Sequence, residues 1–177
     1  MNNILYEKLK ELFSKGEHRP VNVAILHRGK AGSLEFLIVR SAKSPVSWLF
    51  PQGGINVGED IKASLYRELE EELSIKSNEI ADIGFGIYFD ILDTEPTRRD
   101  KRDFSRGKAY IFNIARYIGD SNFKLKSDEI DKADWMNYNK AVRHFNIGRP
   151  TKAKLLENAL NAGLYHLLSK EYNVEEI

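Results

Sequence analysis

Three glutamates, Glu68, Glu71 and Glu72, stand at i, i+3 and i+4 in the run Arg67-Glu68-Leu69-Glu70-Glu71-Glu72. On a helix turning about 100° per residue they share one arc about 100° wide, and Glu70 points elsewhere. Like charges so spaced repel, each pair by roughly a few tenths of a kcal/mol, and a divalent cation would resolve the conflict. The chain has no cysteine, so a metal must sit on oxygen or nitrogen. Oxygen-only ligation favours Mg²⁺, with Mn²⁺ as a substitute, over zinc. A magnesium ion held by carboxylates usually completes its shell with waters and substrate phosphates, so the implied chemistry is displacement at phosphorus, with a spare carboxylate taking the proton from an attacking water.

Glutamate-rich helices are mostly solvated faces. The segment Gly53-Gly54-Ile55-Asn56-Val57-Gly58-Glu59, directly before this one, favours the metal reading, because glycines let a backbone turn tightly and bring its carbonyls close to an ion. Placing Ile61 at zero, the carboxylate arc abuts the one holding Leu65 and Leu69, so the acids should line a cleft at the edge of a buried face.

The elements that must position these groups are legible in the periodicity. Ile61, Leu65, Leu69 and Leu73 step by four through 59–74, a segment with no internal glycine or proline, which predicts a helix. Ile4, Leu9, Leu12 and Phe13 suggest a short amphipathic helix ended by Gly16. Val21, Val23 and Ile25 alternate with Asn22 and Ala24, and 34–40 follows a turn-like Gly29-to-Ser33 stretch, predicting a hairpin. Ser44 to Gly54 reads as a loop with a short apolar insert, Trp48-Leu49-Phe50. Segments 80–92 and 108–118 read as paired strands and Ala133–Met136 as a short one. Lys140–Phe145 reads as a brief helix, and a final helix follows Pro150 despite Gly163. This order implies an α+β fold, a mixed sheet covered by helices.

The chain has 177 residues, fitting a single domain over 1–177. Its 27 basic and 26 acidic residues cancel to +1, so an anionic partner would be attracted by a local patch. No stretch approaches the roughly 20 apolar residues of a membrane span, and the charged N-terminus lacks a secretory h-region, so a soluble, cytoplasmic protein without membrane contact is expected. Oligomeric state is left open.

Gly53, five residues, Glu59, seven residues, then Arg67-Glu68-Leu69-x-Glu71-Glu72-x-Ser74-Ile75 resembles the Nudix box, the signature of hydrolases acting on nucleoside diphosphates linked to another group. The resemblance implies an α/β/α sandwich with a mixed central sheet. It implies metal ligation by Glu68, Glu71 and Glu72, with the Gly53 carbonyl as a further ligand, and a structural pairing of Arg67 with Glu59. Ser74 departs from the family's usual glycine, so it should take a less demanding conformation or end the helix differently.

Trp48 to Asn56 resembles the form found in bacterial RNA 5′-pyrophosphohydrolases and asymmetric dinucleoside tetraphosphate hydrolases. His18-Arg19-Pro20 resembles their Tyr-Arg-Pro, implying a phosphate role for Arg19; alternatively Arg19 is a surface residue. Asp128-Glu129-Ile130-Asp131 before Trp135 resembles their acidic motif, making Glu129 the candidate fourth catalytic and metal-binding carboxylate; alternatively it is one of several acidic loop residues. Val142 to Phe145 resembles the segment whose Phe stacks on the substrate base; alternatively Phe145 is ordinary core. Arg40 and Lys43 border the loop and either touch phosphates or form a solvated pair. Segment 97–108, with six Arg or Lys, either contacts RNA or is a solvated loop. The expected substrate is thus a nucleotide or an RNA 5′ end. The alternatives are a nucleotide-sugar or free-nucleotide pyrophosphatase, or a non-catalytic nucleotide- or RNA-binding module.

Overall fold

Strand β1, His18–Arg28, is the element on which the others are built. In this computed structural model, which describes residues 3–30, 32–93, 106–120, 124–125, 128–148 and 150–172, β1 is buried on both faces along almost its whole length. It sends Val21, Val23 and Ile25 into one apolar cluster and Ala24 and Leu26 into another. A strand buried on both sides reads as a near-continuous apolar run, which is what its sequence shows.

Helix α1, Asn3–Lys15, precedes β1, and Gly16 ends it at φ 62°, the left-handed conformation that glycine adopts most easily. Then come β2, Glu35–Ser41, the short β3, Trp48–Leu49, and β4, Gln52–Gly54. Helix α2, Ile61–Leu73, starts at the N-cap Asp60, whose carboxylate accepts from the Ala63 N–H at 2.7 Å. A 3₁₀ turn at Ser77–Glu79 leads to β5, Ile80–Asp93, followed by β6, Gly107–Tyr117, and β7, Ile130–Met136. Helices α3, Tyr138–Phe145, and α4, Pro150–Tyr172, complete the order.

The sheet is mixed. β1 runs parallel to β6 and antiparallel to β2 and β4; β5 pairs antiparallel with β6, and β7 and β3 with β2. Helices cover both faces, as expected. Leu65, Leu69 and Leu73 of α2 pack on one, while Ala141 and Phe145 of α3 and Leu155, Leu156 and Leu160 of α4 pack on the other. Gly163 sits within α4 without breaking it. An added Cβ there would lie 3.1 Å from Ile114 Cδ1, so the missing side chain is what lets helix and sheet close together. Among the described residues no helix is long and apolar enough to cross a membrane.

Candidate active site

The loop before α2 is fastened on both sides. Strand β4 pairs with β1 so that Gly53 stands opposite Asn22 and Gly54 opposite Val21, and the Ile55 N–H donates to the Pro20 carbonyl at 3.1 Å. From the helix, Arg67 reaches back: Nε and Nη2 donate to the two Glu59 oxygens at 2.7 and 2.8 Å, and Nη2 also donates to the Gly54 carbonyl at 2.9 Å. This two-pronged pair holds the Glu59 carboxyl below its usual range and pushes the Arg67 guanidinium up. The expected structural role of the pair is what the geometry displays. The sequence did not disclose that Arg67 Nη1 also donates to Glu68 at 2.6 Å and to Glu71 at 3.3 Å.

The three helix carboxylates share one side of α2 but not one environment. Glu72 is only 7% exposed, whereas the Glu71 side chain is 60% exposed. Burial, reinforced by the neighbouring charges of Glu68 and Glu129, pushes the Glu72 carboxyl up to about 8, against a stabilising hydrogen bond from the Gln52 backbone N–H. Burial likewise pushes Glu68 up, opposed by its bond to Arg67. Gly53 is indispensable beneath Glu68, since a Cβ there would overlap the carboxylate outright. Glu72 opens into a cleft of about 170 Å³ whose walls also carry Lys43, Gln52, Glu129 and Lys152. Glu129, distant in sequence, is thus brought to Glu72, and Lys43 Nζ lies 3.1 Å from its Oε1.

The donors suit a hard divalent cation in kind: they are oxygen only, and the buried Glu72 Oε2 has no hydrogen-bond partner among the described residues. Among those residues no three acids or imidazoles already stand close enough together to hold an ion. Arg67, by drawing on Glu68 and Glu71, neutralises part of the charge that a cation would otherwise meet.

The other expected site residues separate into two groups. Arg19 lies across the loop, its guanidinium where a Gly54 Cβ would be, and Lys43 lines the cleft. Arg40 instead grips Asp131 through two bonds of 2.8 and 2.9 Å, which pushes its guanidinium up, and it stands 5.7 Å over the Trp48 ring. Phe145 is 2% exposed and packs edge-on against Phe50 at 5.2 Å. It occupies the core, and no face of its ring is open for stacking on a base. Of the basic stretch, residues 97–105 lie outside the described residues; Arg106 stands 3.6 Å from Glu17 and 3.9 Å from Asp93.

Two positioning residues escaped the sequence reading. Asn22, in the middle of β1, and Asn113, on β6, are both buried. Asn113 donates to Asn22, which donates to the Ile61 carbonyl in the first turn of α2 at 2.7 Å; the Gly86 N–H donates to Asn113 at 2.9 Å. Lone amides inside otherwise apolar strands were the available signal, since a buried amide must find partners. Ser74 also departs from expectation. It takes the left-handed conformation itself, at φ 59°, ψ 20°, its N–H donating to Glu70 and its hydroxyl to the Lys124 carbonyl at 3.0 Å.

With the geometry in place, comparisons with known proteins identify the fold and the family. The chain is 31% identical over 134 residues to an RNA pyrophosphohydrolase of Actinobacillus pleuropneumoniae serotype 5b, an alignment covering 71% of this chain. The chain spans 63% of that relative's length. Among solved structures it resembles a Caenorhabditis elegans Ap4A hydrolase complex, at a TM-score of 0.62 and 21% identity over 84% of this chain and 98% of that one. It also resembles the Escherichia coli dihydroneopterin triphosphate pyrophosphohydrolase, at a TM-score of 0.61 and 11% identity over 82% of this chain and 99% of that one. These structural likenesses show the fold, and the NUDIX domain profile matches residues 17–159, most of the chain, so this chain belongs to the NUDIX family.

Proposed function

We propose that the chain is a Mg²⁺-dependent pyrophosphohydrolase that removes pyrophosphate from 5′-triphosphorylated RNA or splits dinucleoside polyphosphates asymmetrically, with Mn²⁺ as a substitute cation. One observation carries this reading: Glu72, buried with an unpartnered oxygen, shares a cleft with Glu129 and two lysines. The names of the Actinobacillus and C. elegans relatives favour the same substrates.

Glu68, Glu71, Glu72 and Glu129, with the Gly53 carbonyl, would hold the cation. When bound, it screens the phosphate charge, polarises a phosphoryl oxygen and lowers the pKa of an attacking water. The chain's own groups do the rest. Arg19, Lys43 and Lys152 bind and orient the polyphosphate. Glu129, with Lys43 beside its Oε1, accepts the water's proton. The hollow of about 510 Å³ next to the cleft, lined by Val46, Ile147, Pro150 and Lys152, gives the base an apolar seat in place of a Phe145 platform. The basic side chains of segment 97–108 would contact the RNA substrate, in a cytoplasmic enzyme.

The test is a panel of 5′-triphosphate RNA, diadenosine tetraphosphate, ADP-ribose and nucleoside triphosphates, each with Mg²⁺ or Mn²⁺. Turnover of the first two should exceed the others by about tenfold or more, a difference of ~1.4 kcal/mol in transition-state binding. Preference for ADP-ribose or free nucleotides would replace the substrate assignment, and no turnover of any would leave a binding module. Replacing Arg98, Arg99 and Arg102 together by Gln should weaken RNA turnover at low salt and flatten its salt dependence while sparing diadenosine tetraphosphate.

A further inference from the structure

A third cavity, about 380 Å³, opens at the far end of β1 on the sheet face that carries α4. His27 lies eight residues beyond Arg19 on that strand, roughly 26 Å at ~3.3 Å per residue. The catalytic helix packs on the other face, so this cavity is separate from the cleft described above.

Its floor is His27, 6% exposed, with neither ring nitrogen hydrogen-bonded among the described residues. A neutral imidazole carries one donor and one acceptor, and leaving both unmatched in a buried position is unfavourable unless something enters to meet them. The walls are of two kinds. Leu34, Ile83, Leu167 and Leu168 form an apolar side. Among the described residues of the lining, Lys30, Arg116 and Lys170 bring three cations against one carboxylate, that of Asp82, to which Arg116 Nε donates at 2.6 Å. Asp82 holds the left-handed conformation, φ 52°, beside a register irregularity in the β5–β6 pairing, so the backbone at the mouth departs from regular strand. Non-glycine residues in that conformation are disfavoured and persist where the surroundings impose them.

We propose that this cavity is a binding site for a small organic anion, its charged head against Arg116, Lys170 and the His27 N–H and its apolar body against Leu34, Ile83, Leu167 and Leu168. The volume suits a ligand of one ring or a short branched chain. The proton affinity of His27 agrees with this setting: burial and the nearby Arg116 hold the ring well below its usual range, at about 4, so near neutral pH it offers a neutral N–H and not a second charge.

The test uses benzenesulfonate as probe, with sulfate as head-only and benzyl alcohol as body-only controls, and reads the ring signals of His27 by ¹H–¹³C correlation NMR. Benzenesulfonate should shift the His27 signals saturably, with each control binding at least about tenfold more weakly. Lys170→Glu, at an exposed position of α4, should weaken the probe by about tenfold or more, and Lys170→Arg should restore it. An unmoved His27 ring at saturating probe, equal binding of sulfate and benzenesulfonate, or unchanged affinity in Lys170→Glu would each overturn the site and leave a cavity filled by water. The readout does not involve turnover, so it stands or falls independently of the proposed hydrolase activity.

Discussion

Asn22 and Asn113 join the two central parallel strands through a buried side-chain bond, and Asn22 passes the connection on to the Ile61 carbonyl at the start of the carboxylate-bearing helix. The pair couples the position of α2 to the middle of the sheet. Replacing Asn22 by Ala takes the short acceptor from the Asn113 Nδ2 and the donor from the Ile61 carbonyl in a buried layer, where an unmatched polar group costs about 1–3 kcal/mol. Urea unfolding of Asn22→Ala should therefore show a loss of about 2–3 kcal/mol. Turnover should fall with little change in KM, because the displaced helix carries the carboxylates, whereas Lys43 and Lys152 of the cleft stand on other elements. A loss below about 0.5 kcal/mol would mean that water replaces the amide.

Glu72 binds its proton at about 8 in the folded chain against an ordinary 4.5. The folded state therefore holds an extra proton between those values. In metal-free buffer the associated stability is fully present below about pH 4.5 and is lost as pH rises through about 8, by about 2–3 kcal/mol after allowance for residual hydration. Urea midpoints of the wild type in EDTA should fall across this window, and Glu72→Gln should flatten the dependence. The same variant should lose about two to three orders of magnitude in turnover at saturating Mg²⁺ without losing stability. Near wild-type turnover would remove Glu72 from the proposed machinery.

Gly53 and Gly58 separate space from backbone conformation. A Cβ at Gly53 overlaps the Glu68 carboxylate, whereas one at Gly58 meets nothing within 4 Å but must accept φ +82°. Gly53→Ala should reduce turnover by about a hundredfold or more, in keeping with the sensitivity of reactive groups to displacements of ~1 Å. Gly58→Ala should cost about 1 kcal/mol in stability and leave turnover within a fewfold. Equal turnover in both variants would show that Glu68 can yield without penalty.

Ser74 carries the strain that a glycine would avoid. Ser74→Gly should relieve about 1 kcal/mol of left-handed strain and forfeit a weaker exposed bond to Lys124, for a net gain near 0.5 kcal/mol in urea unfolding. Ser74→Val should lose about 2 kcal/mol. A glycine variant less stable than the wild type would show that the Lys124 bond outweighs the strain.

What the sequence determined by itself is local. The step of four in Ile61, Leu65, Leu69 and Leu73 fixes a helix, and the spacing of Glu68, Glu71 and Glu72 fixes that they share its side, because both follow from 3.6 residues per turn. The Gly53-to-Glu59 loop was equally readable as a glycine-rich stretch, and its tie to Arg67 was implied by the resemblance to the family. Depth was not. Glu71 and Glu72 are adjacent in the chain, yet one is solvated and the other buried, because Gln52 and Glu129 come over Glu72 from β4 and from the turn before β7. The same reason placed Phe145 in the core against Phe50, drew Arg40 to Asp131 and paired Asn22 with Asn113. Which face a residue occupies follows from short-range geometry, whereas its partners and its access to water depend on strands that are neighbours only after folding, and those decide whether a carboxylate is exposed and charged or buried with a raised pKa.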